Sequence, residues 1–123
     1  MLYAILCYND EKAVGAWTKE EDDACMARLS KVEASMKAKG KLGPVARLMP
    51  TTAATTLRKS SGEPLIIDGP FAETKEQFLG FYLADCDTLE EAIAFAKDLT
   101  KANPSGGGYE IRPVALFHPS DFG

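Results

Sequence analysis

With 123 residues, 46% of them hydrophobic and 26% charged, the chain has the composition of one globular domain spanning 1–123 and not of a disordered tract. Its formal net charge of −4 argues against a nucleic-acid partner, because phosphate backbones are met by basic faces. The apolar opening Leu2–Cys7 is too short for a leader or a membrane span, and Cys7, Cys25 and Cys86 form no C-x-x-C pair, so the expectation is a cytoplasmic protein with reduced thiols and no membrane partner.

Leu2 to Tyr8 is a continuous apolar run closed by Asn9-Asp10 and predicts a buried strand. Asn9 to Trp17 reads as a loop. Thr18-Lys19-Glu20-Glu21 is a capping box, in which the Thr hydroxyl and the Glu carboxylate each take an amide of the first turn. Beyond it Cys25, Leu29, Val32 and Met36 recur on one face, and Gly40 is a natural stop, so a helix is expected over 19–39. The basic cluster Lys37, Lys39 and Lys41 then falls at its C-terminal end, where it answers the helix dipole.

Leu42 to Met49 predicts a second strand. Thr51 to Arg58, rich in β-branched Thr, and Pro64 to Ile67 flank the turn-forming Lys59-Ser60-Ser61-Gly62-Glu63 and read as a hairpin. Phe78 to Cys86 is a strongly apolar strand. Thr88-Leu89-Glu90-Glu91 is a second capping box, and Leu89, Ala92, Ile93, Ala96 and Leu99 form the apolar face of a helix that stops before Asn103-Pro104. Tyr109 to Phe117 is a last strand, interrupted by Pro113.

The order is β-α-β, hairpin, β-α-β. Setting the hairpin aside, this is the split βαβ arrangement of an α+β, ferredoxin-like fold, with both long helices on one face of the sheet. The first and the Phe78 strands are apolar at consecutive positions, which predicts cover on both faces. Two helices cover one face, so the other calls for a second copy of the chain, a homodimer.

Asp68-Gly69-Pro70-Phe71 has clear local physics. Asp bonds amides two residues on, Gly supplies permissive angles, and Pro sets φ, so Ala72 to Gln77 is expected to form a short helical turn with Glu73 near its positive end and Lys75 toward its negative end. The run Asp68 to Glu76, continued by Gln77-Phe78-Leu79-Gly80-Phe81-Tyr82-Leu83, resembles the signature of the DGPF branch of the YCII-related proteins. Thr55 to Arg58 and Glu110-Ile111-Arg112-Pro113-Val114 are similar to patterns of the same family. The resemblance implies the dimeric α-β barrel version of the ferredoxin-like fold, with the hairpin inserted. It also implies a regulatory setting, since such proteins are often encoded beside extracytoplasmic-function sigma factors. An Asp-His pair is associated with acid-base chemistry elsewhere in the family. Here the single histidine, His118, is far from Asp68 in sequence, and the pair is not carried over.

Candidate site residues follow. Asp68 is either a general base or a turn cap. Glu73 and Lys75 are candidates for a polar ligand, and Arg112 for a carboxylate or phosphate, against the plainer reading of solvated or cross-strand charges. Tyr82, with Phe71, Phe78 and Phe81, would line an apolar pocket or else fill the core or a dimer interface. One His and three scattered Cys make no metal set, and no cofactor motif is present. Two functions are therefore weighed first, with a purely structural interaction module as a third. One is an accessory protein that binds a small polar or aromatic ligand. The other is a cofactor-independent enzyme that uses Asp68 for elimination or isomerisation of a small acid.

Overall fold

The computed structural model describes residues 1–120. The elements are β1 (Leu2–Asn9), α1 (Glu11–Gly15), α2 (Lys19–Ala38), β2 (Leu42–Arg47), β3 (Thr55–Arg58), β4 (Leu65–Asp68), β5 (Gln77–Asp85), α3 (Leu89–Ala102) and β6 (Gly108–Pro113). Four strands form one antiparallel sheet in the order β2-β5-β1-β6, and β3 and β4 pair antiparallel as a separate two-stranded ribbon. This α+β architecture is compatible with a ferredoxin-like fold.

Helices α2 and α3 pack on one face of the sheet. Tyr3 and Ile5 of β1 and Tyr82 and Ala84 of β5 meet Cys25, Leu29 and Met36 of α2 and Phe95 and Leu99 of α3 in one core. Strand alternation turns the intervening Leu2, Ala4 and Leu6 of β1, and Phe81 and Leu83 of β5, to the other face, where they are half-buried. Among the described residues no helix is long and apolar enough to cross a membrane.

Several local expectations are corrected. The stretch after β1 is not all loop: Asp10 accepts from the Lys12 amide and caps the short helix α1. The Thr18–Glu21 box is complete, whereas the second box is half made. Thr88 accepts from the Glu91 amide, but the Glu91 carboxylate turns to Lys41 and to the Asp87 amide. The buried face of α3 is Ala92, Phe95, Ala96, Leu99 and Ala102; Leu89, at the first helical position, is 46% exposed. Strand β6 ends at Pro113, short of the expected Phe117, at the edge of the sheet, where the missing proline donor breaks no bond to β1: the Val114 amide still donates to the Leu2 carbonyl. The first half of the Thr-rich stretch is a 3₁₀ turn, Thr51–Ala53, and strand β3 begins only at Thr55.

Ala72 to Gln77 is not helical. Side chains close its turns instead: the Thr74 hydroxyl donates to the Glu76 carbonyl at 2.5 Å, and the Gln77 amide donates to the Thr74 carbonyl. Such local side-chain bonds compete with helix formation. Glu73 and Lys75 therefore do not stand at helix ends.

Candidate functional site

The motif segment builds one wall of a cleft of about 660 Å³. Pro70, Phe71, Ala72, Thr74 and Glu76 stand on one side, and Leu48 to Thr51 with Ala53 and Ala54 on another. Tyr8 and Phe78 rise from the sheet between them. The volume lies within the range of small-molecule sites, and most of the lining is apolar with a few polar groups.

The sheet places its two rings through an irregularity in the β1–β5 pairing. Cys7 faces Gly80 but Tyr8 faces Phe78, which leaves Leu79 as the extra residue of a bulge. The two rings then sit 5.7 Å apart at an angle of 51°. The Tyr8 hydroxyl donates to Glu110 Oε1 at 3.2 Å. Its pKa is raised, first by desolvation and then by the Glu110 bond and charge, with Arg112 pulling the other way.

The walls are tied to the body by side chains. Glu11 accepts from the Thr51 amide at 2.7 Å and from its hydroxyl at 2.5 Å, satisfying the open end of the 3₁₀ turn after Pro50. Gln77 Oε1 accepts from the Glu11 amide at 3.2 Å, while its amide group holds Thr74. On the motif side, Gly69 has φ of 117°, a conformation that L side chains resist, and its amide donates to the Ala54 carbonyl. Thr56 donates to the Gly69 carbonyl at 2.7 Å. Arg58 lies 4.5 Å over the Phe71 ring and donates to the Phe71 carbonyl at 3.0 Å.

The sequence-predicted residues are dispersed around this cleft. Asp68 is exposed at the end of β4, opposite Thr55, and its carboxylate accepts no hydrogen bond among the described residues. Glu73 and Lys75 are exposed on the motif segment between the cleft-lining Ala72, Thr74 and Glu76. Arg112 is on β6 opposite Ala4, on the same sheet face as Tyr8 and Glu110. Tyr82 is buried on the opposite, helix-covered face, with its ring edge-on to Phe95 at 5.8 Å. Of the other aromatics, Phe71 is 67% exposed, Phe78 is exposed and Phe81 half-buried.

Tyr8, Glu11, Thr51 and Gln77 were not singled out by sequence. The Asp10-Glu11 pair was a legible start signal for α1, but the partnership of Glu11 with Thr51 spans 40 positions and carries no local signature. Among the described residues no group of three His, Cys, Asp or Glu is placed to hold a metal ion. Cys7, Cys25 and Cys86 are free thiols, each with its pKa raised chiefly by burial.

The family model described as YCII-related domain matches residues 1–118. An uncharacterized protein of Rhizobium meliloti (strain 1021) is 63% identical over 121 residues, which is 98% of each chain.

Proposed function

The chain belongs to the YCII-related domain family, and on that premise we propose that it is a dimeric accessory protein that binds a small molecule with an aromatic or apolar body and a polar end in the cleft of the motif. The observation that carries this reading is the cleft itself, in which Phe71, Phe78 and Tyr8 supply ring surface beside Thr51, Thr74 and Glu76. The motif is held in its wall by bonds from Thr56 and Arg58, the kind of support that pre-organises a binding surface.

Two features support the dimer. The sheet face turned away from α2 and α3 presents Leu2, Ala4, Leu6, Phe81 and Leu83, an apolar surface of the kind that a second sheet covers in a dimeric α-β barrel. The β3–β4 ribbon, in the position of the inserted hairpin, carries Leu57, Leu65 and Ile66 at 58, 58 and 75% exposure. A ribbon this apolar needs a partner surface to be stable in water.

The test is a thermal-unfolding screen with aromatic carboxylic acids and their amides. A binder raises the unfolding midpoint, and Phe71→Ala removes that rise without unfolding the protein. A binder whose effect survives both Phe71→Ala and Thr74→Val does not occupy this cleft.

A second reading is a cofactor-independent enzyme with Asp68 as general base and Lys75 or Arg112 stabilising the anion formed. It is favoured by one observation: the Asp68 carboxylate has no hydrogen-bond partner among the described residues and stands two positions before Pro70 of the cleft wall.

A further inference from the structure

Consecutive residues of β1 face two different spaces. Tyr8 belongs to the motif cleft, while Cys7 points to a second cavity of about 210 Å³, between α2 and the sheet. Trp17, Tyr82 and Tyr109 give this cavity three aromatic side chains, and Met26 and Leu29 of α2 give it an aliphatic wall. It is smaller than the ~300–1,000 Å³ typical of sites for drug-sized molecules, so its occupant is small.

Three charged groups line it: Asp22, Glu33 and Arg47. Arg47 is spent on Asp22 through two bonds, at 2.9 and 3.3 Å. The neighbouring cation Arg28 is also engaged, donating to the Ala102 carbonyl at 2.7 Å. Glu33 is left over. It is half-buried and has no ion pair or hydrogen bond among the described residues. Its carboxyl is pushed up by desolvation, and its charge reaches Tyr82 strongly enough to help raise that phenol. The Tyr82 and Tyr109 hydroxyls likewise have no hydrogen-bond partner among the described residues. The wall thus carries one uncompensated negative charge, aromatic surface and two unoccupied phenols. A desolvated carboxylate is costly until a cation meets it, and aromatic walls attract organic cations.

We propose that this cavity is a binding site for a small organic cation, an alkylammonium, held by the Glu33 carboxylate and by the aromatic walls of Trp17, Tyr82 and Tyr109. An anion would meet Glu33 unfavourably, and a neutral molecule would leave its charge uncompensated. The alkyl part lies against Met26 and Leu29.

Trp17 is the single tryptophan of the chain, so its emission reports on the cavity. Butylammonium and tetramethylammonium chlorides, titrated into the whole protein at constant ionic strength, should give a saturable change in that emission. n-Butanol, the neutral counterpart, should not. Glu33→Gln keeps the shape and removes the charge, and is expected to weaken butylammonium binding about tenfold or more. Ser30→Phe, at an exposed α2 position that also lines the cavity, should abolish the saturable change by filling the space. A linear response, an equal response to n-butanol, or undiminished affinity in folded Glu33→Gln overturns the proposal. Undiminished affinity in Ser30→Phe does so independently.

Discussion

The carboxylate of Glu11 grips Thr51 at two points, accepting from its amide at 2.7 Å and its hydroxyl at 2.5 Å. With the Glu11 backbone amide donating to the Gln77 side chain, this one residue joins the short helix α1 to the segment after β2 and to the start of β5. Glu11→Ala is expected to cost about 1–3 kcal/mol, since it leaves a partly buried amide and hydroxyl without their charged acceptor. Glu11→Gln should cost less, because one acceptor remains. Urea unfolding at neutral pH measures both, and equal stability of all three proteins would remove Glu11 as the brace.

Asp68 behaves differently. Its carboxylate is exposed and bonded to nothing among the described residues, and the turn that follows is held by Gly69, Thr56 and Arg58. Asp68→Asn and Asp68→Ala should each change stability by less than about 0.5 kcal/mol. A loss of about 1–2 kcal/mol in the Ala variant alone would restore the turn-cap role. If a turnover is found, its collapse in Asp68→Asn with binding retained assigns the general base.

Gly80 lies where β5 is clasped between β1 and β2. A Cβ there would stand 2.4 Å from the Ala46 carbonyl oxygen and 3.2 Å from Arg47 Cα, both backbone atoms. Gly80→Ala should therefore destabilise by about 2–4 kcal/mol, since a strand and not a side-chain tip has to give way. A thermal midpoint within a degree or two of the parent would contradict that packing.

Lys41 and Glu91 should contribute to both the acid and the alkaline limb of stability. Lys41 Nζ reaches Glu91 Oε1 at 2.8 Å and Asp87 at 3.5 Å. Glu91 is held below its ordinary carboxyl range, first by the Lys41 bond and then by the Asp87 amide, and Lys41 is held above its ordinary value chiefly by Glu91. The Glu91 contribution is fully present above the unfolded value of 4.5 and is lost as pH falls through the lower folded value. The Lys41 contribution is fully present below 10.5 and is lost as pH rises through the higher folded value. Glu91→Gln should flatten both limbs in a pH series of unfolding midpoints. Limbs of unchanged steepness would show that the pH dependence arises elsewhere.

The dimer is checked on the open sheet face. Light scattering at micromolar concentration should give twice the 13.3 kDa chain mass. Leu6→Asp, which puts a charge at the centre of that face without touching the helix-side core, should give the monomer. A parent protein that is monomeric at this concentration removes the assembly.

The strands, the two long helices and the place of the motif were legible in the sequence alone. Those rest on local terms: apolar runs, the Thr18 capping box, the stop at Gly40 and the turn at Gly69-Pro70. The sequence also marked the face of α2, where Cys25, Leu29 and Met36 are buried. Finer features were out of reach because they depend on partners distant in the chain. Glu91 left its capping box for Lys41, 50 positions away, and Ala72 to Gln77 gave up its expected helix to bonds from Thr74 and Gln77. Tyr8 and Tyr82 are both tyrosines of apolar strands, yet the pleat and the β1–β5 register put them on opposite faces, and the bulge at Leu79 brings Phe78 opposite Tyr8. A cleft or a cavity is made where several elements fail to touch, and the space they leave is a property of their packing and not of any one segment.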